Sequence, residues 1–439
     1  MKVLIFGFGL HGGGFASAKY YLDRGHELRI TDRNSMAKLG DSLAWFKDRG
    51  VELVLEQHRD CDFAWADIIV KSPAVSRTSP YLKKARGSVV TDFTELFRFP
   101  DIGQIKLVMI TGTKGKTTTA AAVTHVLQQT GHEVMMCGNM GISCFAVLDN
   151  LENRRRNGEK YPDYIVCELS SWQIADAFAY CPATEIPRFE VCCMTSVYED
   201  HQNYYRSMEA YINDKLLLFK QGAVHIVGTE SMKDALARAA CVSPSKVVTI
   251  ERTARKTDNS LFAPAYAICR ALGLKHDRIL SALKTCPGVP HRNEMVRFHK
   301  NVIFINDSAA TVPQAVDFTW SSFYASSPVF LICGGTDKAL GVAGMERPLR
   351  HVKGIYLLDG SFTREKLVPF LKEAGLGYCG PFGALEPALK AAYSDAVSYS
   401  ADKGPTPIVL LSPGAASFEL FLHEFDRGDR FKALVGELD

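Results

Sequence analysis

Short apolar runs alternate with amphipathic stretches along the whole chain. Helical spacing of apolar residues marks the stretches 15–24, 117–129 and 207–219. The charged, turn-rich stretch 151–162 indicates a solvated loop. Strands that alternate with helices predict α/β units built on parallel sheets. The runs typical of buried strands lie at 2–6, 27–31, 66–71, 107–110, 164–167, 191–195, 224–228, 246–250, 302–305, 329–332, 354–358 and 407–411.

This alternation restarts twice, near residue 101 and near residue 290. At about 100–200 residues per domain, a chain of 439 residues has room for two to four domains. We therefore predict three α/β domains in series, at residues 1–97, 98–289 and 290–439.

The charge balance is nearly even, with 51 basic and 48 acidic residues and a net charge of +3. Such a balance gives no support to a general polyanion binder. No stretch approaches the roughly 20 apolar residues of a membrane span. We expect neither nucleic-acid binding nor membrane insertion, and a cytoplasmic location.

A glycine-rich turn directly follows the first predicted strand. Residues 7–12 have the GxGxxG spacing, and Asp32 ends the next predicted strand. Glycines in such a turn let the backbone approach a phosphate, and the acidic residue reaches a ribose. The residues alone leave three interpretations open: a dinucleotide such as NAD, another nucleotide ligand, or a turn with a purely structural role.

A second glycine-rich turn lies between the predicted strand 107–110 and the helix that follows. In phosphate loops, backbone N–H groups surround the phosphates, a lysine reaches the β/γ-phosphates, and a hydroxyl binds Mg²⁺. Ile110 stands at the first glycine position of the GxxxxGK[ST] pattern, but the strand–turn–helix context fits. We predict that ATP or another nucleoside triphosphate binds the loop formed by Gly112, Thr113, Lys114, Gly115, Lys116, Thr117 and Thr118.

Two further residues suit phosphate chemistry by their placement. Glu168 follows a predicted strand at the carboxyl edge of the sheet, where a carboxylate can coordinate Mg²⁺. Lys215 shares one helical face with Met208, Ile212 and Phe219. A lysine on an apolar face either extends its ammonium to solvent or has a function, and the spacing alone leaves both open.

The run GTKGKTTT resembles the phosphate loop of the Mur ligases, which form peptide bonds on cell-wall precursors. The resemblance spans nearly the whole chain. It implies a Rossmann-like UDP-sugar-binding domain, a central ATP-binding domain, and a Rossmann-like C-terminal domain that closes over ATP and the amino acid. Matching runs follow in the family's order: GNMG at 138–141, ELSSWQ at 168–173, EDH at 199–201, HR at 291–292, NDS at 306–308, GGTDK at 334–338 and SPGAASF at 412–418.

The resemblance also implies roles for individual residues. It implies two Mg²⁺ sites, with Lys215 carbamylated. Catalytic roles are implied for Lys116, Glu168, His201 and Lys215, and metal binding for Thr117, Glu168, His201 and Lys215. ATP contacts beyond the phosphate loop are implied for Arg292 and Asp307. UDP-sugar contacts are implied for Leu10, His11, Asp32, Arg33, Ser72, Asn139, Ser170 and Gln173, and amino-acid contacts for Thr311, Lys338, Ser417 and Phe418.

Within the family, the short first domain and the ELSSWQ and SPxxASF runs are most similar to the ligases that add D-glutamate to UDP-N-acetylmuramoyl-L-alanine. We therefore expect a monomeric, ATP-dependent amide-bond ligase of peptidoglycan precursor synthesis, and so of cell-wall biogenesis, cell shape and cell division. The reaction is expected to pass through an acyl phosphate. The alternatives are a Mur-type ligase with another acceptor or amino acid, an NAD-dependent oxidoreductase and a non-catalytic nucleotide-binding scaffold.

Three stretches depart from the family pattern. Ala309 stands where the family usually has a lysine, the run that contacts adenine is not recognisable at 257–261, and 421–427 matches loosely. These departures concern the contacts with the nucleotide and the identity of the amino acid.

Overall fold

The structure is a computed structural model that describes residues 1–9, 12–138, 142–198, 205, 207–254, 260–401 and 405–438. The chain divides into two compact units. One comprises Met1–Val197 and Glu209–Cys286, and the other comprises Tyr198–Met208 and Pro287–Asp439. The predicted α/β class with parallel sheets is confirmed. The division into three domains at 97 and 289 stays a prediction.

The first sheet of the first unit is formed by β1 (Lys2–Phe6), β2 (Glu27–Asp32), β3 (Glu52–Leu55), β4 (Ile68–Lys71) and β5 (Ser88–Val90). Its helices are α1 (Gly13–Asp23), α2 (Met36–Ala44), α3 (Asp60–Trp65) and α4 (Asp92–Phe97). The strands are parallel, in the order β3–β2–β1–β4–β5. Because the strand order reverses at β1, a crevice opens beyond the carboxyl ends of β1 and β4. The glycine turn after β1 and the residues after β4 lie at that edge.

The second sheet of this unit is formed by β6 (Lys106–Thr111), β7 (Val134–Gly138), β8 (Tyr164–Glu168), β9 (Phe189–Met194), β10 (Ala223–Gly228) and β11 (Val247–Thr249). The strands are parallel, in the order β11–β10–β9–β6–β8–β7. The loop after β6 therefore has the ends of β8 and β9 on its two sides. The helices are α5 (Lys116–Gln129), α6 (Cys144–Asn157), α7 (Ser171–Tyr180), α8 (Met208–Lys220), α9 (Lys233–Ala239), α10 (Ile250–Ala254), α11 (Ala263–Ala271) and α12 (His276–Lys284).

The charged stretch 151–162 was expected to be a loop, and this expectation is wrong for its first half, which completes α6. The buried face of α6 includes Phe145, Leu148 and Leu151, so burial of these apolar residues extends the helix into charged sequence. Arginines in the last turn interact favourably with the negative end of the helix dipole. Gly158 ends the helix with a φ of 68°.

The sheet of the second unit is formed by β12 (Glu294–His299), β13 (Val302–Asn306), β14 (Val329–Cys333), β15 (Gly354–Leu358), β16 (Cys379–Phe382) and β17 (Ile408–Leu411). The order is β12–β13–β17–β14–β15–β16, and β12 runs antiparallel to β13 while the other pairs are parallel. Since β17 lies between β13 and β14, the loops after these three strands meet at one edge. The helices are α13 (Pro313–Thr319), α14 (Glu346–His351), α15 (Val368–Glu373), α16 (Leu385–Ala401) and α17 (Glu424–Gly436).

Within the described ranges, no helix combines the length and the apolar character needed to cross a bilayer.

Candidate functional site

The loop between β6 and α5 has the conformation that its glycines predict. Gly112 has a φ of 144°, and a Cβ at this position would lie 2.1 Å from Oγ1 of Thr195. Only glycine fits there, because any side chain would displace the neighbouring strand end. Gly115 caps α5 with a φ of 82°, and Lys116 is the first residue of the helix. The start of this 14-residue helix therefore presents backbone N–H groups and a positive dipole end to an anion.

Residues that follow β9 hold this loop in place. The Thr195 hydroxyl donates to the Lys114 carbonyl over 2.6 Å, and the Ser196 hydroxyl donates to the same carbonyl over 2.9 Å. The Thr113 N–H donates to the Ser196 carbonyl over 2.6 Å. The sequence analysis missed Thr195 and Ser196, since their role follows from the pairing of β9 with β6, which no local pattern reveals.

Two lysine side chains converge on one carbonyl of the loop. The Lys116 ammonium donates to the carbonyls of Gly112 (3.0 Å) and Thr113 (3.1 Å). The Lys215 ammonium donates to the Gly112 carbonyl over 2.9 Å and lies 4.4 Å from the ring centroid of Tyr211. Lys215 is buried, so its side chain does not extend to solvent. The arrangement concentrates positive charge where the phosphates of a nucleotide would bind.

Two side chains with oxygen atoms that suit a hard cation lie at the start of α5 and at the end of β8. Thr117 is buried at the start of α5, and its hydroxyl has no hydrogen-bond partner among the described residues. Glu168 is a buried carboxylate at the end of β8, paired in register with Ile110 of β6. No group of three or more His, Cys, Asp or Glu in the described part of the chain could hold a metal ion. Magnesium needs no such group, because it usually combines one or two carboxylates with phosphate oxygens and water.

A cavity of the first unit lies where β1 and β4 end. Its walls include the glycine turn after β1, the residues that follow β4, and the start of α7. Two residues predicted to bind the UDP-sugar line this cavity: Ser72, which follows β4, and Gln173, in the first turn of α7. Ser170 does not line the cavity; it caps α7, where its hydroxyl and N–H both contact the Gln173 side chain, at 2.8 and 3.0 Å. Ser170 thus holds Gln173 in place.

Asp32 shapes the glycine turn from the end of β2. Its Oδ2 accepts hydrogen bonds from the N–H groups of Phe8 (2.8 Å) and Gly9 (3.1 Å), and its Oδ1 accepts from the N–H of Asn34 (2.8 Å). Arg33, the next residue, is exposed. Asp32 therefore contacts the turn itself, whichever ligand the turn receives.

Several predicted site residues lie outside the described residues. These are Leu10, His11, Asn139 and His201.

The second unit brings the predicted amino-acid contacts to one sheet edge. The Lys338 ammonium donates to the Thr311 hydroxyl over 3.1 Å. Ser417 is buried, and its hydroxyl has no hydrogen-bond partner among the described residues. Phe418, the next residue, is 65% exposed. An ammonium and a buried, unpartnered hydroxyl are donors that suit a carboxylate.

Asp307, a predicted ATP contact, is deeply buried at the end of β13. Its carboxylate accepts hydrogen bonds from the hydroxyls of Thr319 (2.7 Å) and Ser412 (2.9 Å) and from the N–H of Asn293 (3.1 Å). Burial raises the pKa of Asp307 to about 6, although these donors act in the opposite direction. Arg292, the other predicted ATP contact, has a buried Nε without a hydrogen-bond partner among the described residues.

Comparison with known proteins places this chain among relatives of its full length. The sequence pattern of the Mur ligase middle domain matches residues 110–265. The chain is 32% identical to the UDP-N-acetylmuramoylalanine–D-glutamate ligase of Borreliella afzelii (strain PKo), over 100% of this chain and 98% of that protein. It is 31% identical to the ligase of the same name from Roseiflexus sp. (strain RS-1), over 99% of this chain and 98% of that protein.

Among solved structures, the UDP-N-acetylmuramate–alanine ligase of Thermotoga maritima shares the fold, with a TM-score of 0.60 at 15% identity over 99% of both chains. The family predicted from the sequence runs is confirmed by the full-length relatives. The chain belongs to the Mur ligase family.

Proposed function

We propose that this protein is an ATP-dependent ligase that joins D-glutamate to UDP-N-acetylmuramoyl-L-alanine in peptidoglycan precursor synthesis. The observation that carries the proposal is the phosphate loop on which the ammonium groups of Lys116 and Lys215 converge. Full-length similarity to ligases of this name supports the choice of substrates. As part of the proposal, the enzyme acts as a cytoplasmic monomer.

The reaction proceeds in two displacements. The carboxylate of the alanyl group attacks the γ-phosphorus of ATP, which forms an acyl phosphate and releases ADP. The amine of D-glutamate then attacks the acyl carbonyl, and phosphate leaves as the amide bond forms. In both steps anionic reactants must meet, so cations and positioning supply most of the catalysis.

Residues of the phosphate loop provide the cationic environment for the first step. The start of α5 presents N–H groups to the phosphates, and Lys116 extends its ammonium toward the β/γ-phosphates in place of the loop carbonyls that it contacts here. Hydrogen bonds from Thr195 and Ser196 to the Lys114 carbonyl hold this part of the loop in place. The loop therefore needs little rearrangement to receive ATP.

Thr117 and Glu168 fit a magnesium ion, because one offers an unpartnered hydroxyl and the other a buried carboxylate. Magnesium, when bound, neutralises charge on the transferred phosphoryl group. We further propose a second magnesium site that uses His201 and a carbamylated Lys215. Carbamylation would convert the Lys215 ammonium into an anion, while one N–H remains to donate to the Gly112 carbonyl.

The other two substrates use the remaining predicted residues. The cavity lined by Ser72 and Gln173 receives the sugar-nucleotide. As part of the proposal, further contacts come from Leu10, His11, Asp32, Arg33 and Asn139, and Ser170 acts through the Gln173 side chain that it holds. In the second unit, Lys338 and Thr311 bind a carboxylate of D-glutamate, with Ser417 and Phe418 beside them. Arg292 and Asp307 contact ATP.

The decisive experiment measures ADP release with UDP-N-acetylmuramoyl-L-alanine, ATP and a panel of L- and D-amino acids. We expect release to depend on all three substrates and to be fastest with D-glutamate. Faster release with a neutral or basic amino acid would contradict the choice of D-glutamate. Absence of ADP release from folded protein with every amino acid would contradict a ligase that uses this acceptor.

A further inference from the structure

A buried ion pair lies in the wall of the sugar-nucleotide cavity. Lys71 ends β4, and its Nζ lies 2.5 Å from Oδ2 of Asp176 on α7. The side chains are 0% and 1% exposed. Because these residues are 105 positions apart, the pair ties the first sheet of the unit to the helix that follows β8.

Each partner of the pair also adjoins a predicted sugar-nucleotide contact. The Lys71 ammonium donates to the Ser72 carbonyl over 3.1 Å. Asp176 lies three residues after Gln173 in α7, so both side chains project from the same side of the helix. Lys71, Ser72 and Gln173 line the cavity together. The ion pair therefore joins the end of β4, which carries Lys71 and Ser72, to α7, which carries Gln173.

Burial of this ion pair is unfavourable for the charged form of both side chains. Burial raises the pKa of Asp176 to about 6 and lowers the pKa of Lys71, so the surroundings oppose both charges. Buried ion pairs are often no more stabilising than apolar residues of similar size. A gain in stability is therefore a weak explanation for this buried ion pair. The fixed positions that the pair gives to residues of the cavity wall are a more direct explanation.

A further cation, Arg77, also lies near Asp176. The Arg77 Nε lies 3.8 Å from Oδ1 of Asp176, and the Arg77 Nη2 lies 3.1 Å from Oδ2 of Asp214. Asp214 precedes Lys215 in α8. Positive and negative side chains thus alternate from the cavity wall to α8, in the order Lys71, Asp176, Arg77 and Asp214.

We propose that Lys71 and Asp176 are positioning residues for the sugar-nucleotide substrate. Their ion pair holds Ser72 and Gln173 at the separation that the substrate requires, and neither charge takes part in the chemical steps. The inference rests on the proposed function, because it assigns the cavity to the UDP-linked acceptor.

The test is steady-state kinetics and calorimetry on the full-length variants Lys71→Met and Asp176→Asn. We expect each variant to raise the KM and Kd for UDP-N-acetylmuramoyl-L-alanine by about tenfold or more. The KM for ATP and kcat should change by less than about threefold, because the phosphate loop is not altered. An unchanged KM for the sugar-nucleotide in folded variants would overturn the proposal, and so would an equal rise in the KM of every substrate.

A double variant separates positioning from mere packing. Lys71→Met/Asp176→Leu leaves no unpaired buried charge and should fold even where a single variant does not. We expect its KM for the sugar-nucleotide to stay raised, close to that of Lys71→Met alone, because both changes remove one shared interaction. A return to the wild-type KM would show that the pair only fills space and would refute the proposal.

A matched control is the ion pair of Arg29 with Asp62, whose carboxylate is also 0% exposed. Neither residue lines the cavity. Asp62→Asn should lower the melting temperature without a selective change in the KM for the sugar-nucleotide. Wild-type protein that neither binds UDP-N-acetylmuramoyl-L-alanine nor releases ADP would instead contradict the proposed function itself, so the two failures are distinguishable.

Discussion

The Lys215 ammonium donates a 2.9 Å hydrogen bond to the carbonyl of Gly112, across 103 positions of sequence. This bond joins α8 to the loop that begins α5, so the helix that carries Lys215 and the phosphate loop are held together. The same carbonyl accepts from Lys116 over 3.0 Å. A change of charge at Lys215 would therefore act directly on the phosphate loop.

The first prediction concerns the chemical state of Lys215. Lys215→Arg keeps a cation on α8 but cannot form the carbamate, and we expect it to lose about 100-fold or more in kcat, as Lys215→Ala should. Acetate should partly restore Lys215→Ala, because a free carboxylate can replace the carbamate. Labelling with ¹³C-bicarbonate should give a carbamate signal in the wild type and in neither Lys215 variant.

Lys220 is a matched control, since it is an exposed lysine of the same helix. Lys220→Ala should retain wild-type activity. Full activity of Lys215→Arg, together with no carbamate signal in the wild type, would mean that Lys215 acts only as a cation.

The second prediction concerns the buried hydroxyl of Thr117. Thr117→Val preserves the shape of the side chain and removes a hydroxyl that has no hydrogen-bond partner among the described residues. We expect unchanged or slightly higher stability, because no hydrogen bond is lost. The magnesium concentration for half-maximal activity should rise by about tenfold or more, because one ligand is gone.

Thr119, two residues further along α5, provides the control. Its hydroxyl is likewise buried and has no partner in the described ranges. Thr119→Val should leave the magnesium dependence unchanged. Equal magnesium titrations for the two variants would exclude Thr117 as a ligand.

The third prediction follows from the raised pKa of Asp307, which burial shifts from 3.8 to about 6. A carboxyl group with a raised folded-state pKa favours folding when it is protonated, so its contribution is complete below pH 4 and is lost as the pH rises through 6. Above that range the ionised group costs on the order of 3 kcal/mol. Asp307→Asn should therefore raise the free energy of unfolding at pH 8, and the gain should disappear near pH 4.

Thermal melts of wild type and Asp307→Asn between pH 4 and pH 8 would measure this difference. The exposed residue Asp277 supplies a comparison, because Asp277→Asn should show no such pH-dependent gain. A gain for Asp307→Asn that is independent of pH would point to altered hydrogen bonding with Thr319 and Ser412 instead.

The sequence predicted best those features that depend on local pattern. The strand–glycine–helix arrangement around Gly112 and Lys116 and the placement of Glu168 at a strand end follow from residue types and spacing, and the structure has them. The stretch 151–162 shows where local pattern fails. Its charges suggest a loop, but the apolar face that makes it helical begins upstream at Phe145 and is effective only when packed.

Features that depend on strand order were not predictable from the residues. Thr195 holds the phosphate loop only because β9 pairs with β6. Lys71 and Asp176 meet only because α7 packs beside the end of β4. For Lys215, spacing indicated an apolar helical face and left its role open, and its hydrogen bond to Gly112 requires the tertiary arrangement.

The last prediction concerns the identity of the amino acid substrate. It needs a direct test because Ala309 stands where the family usually has a lysine. Lys338 places its ammonium 3.1 Å from the Thr311 hydroxyl, and both groups can donate to one carboxylate. A hydrogen bond to a charged group contributes about 1.5–3 kcal/mol, so Lys338→Met should raise the KM for D-glutamate by about tenfold to 100-fold. Thr311→Val should have a smaller effect in the same direction, because the neutral hydroxyl makes a weaker bond. The KM for ATP should stay within about twofold in both variants.

Lys372→Met, which removes an exposed lysine of α15, is the control and should change neither constant. If Lys338→Met raised the KM for ATP and left that for D-glutamate unchanged, Lys338 would belong to the nucleotide site, and the carboxylate of the amino acid would need another cation.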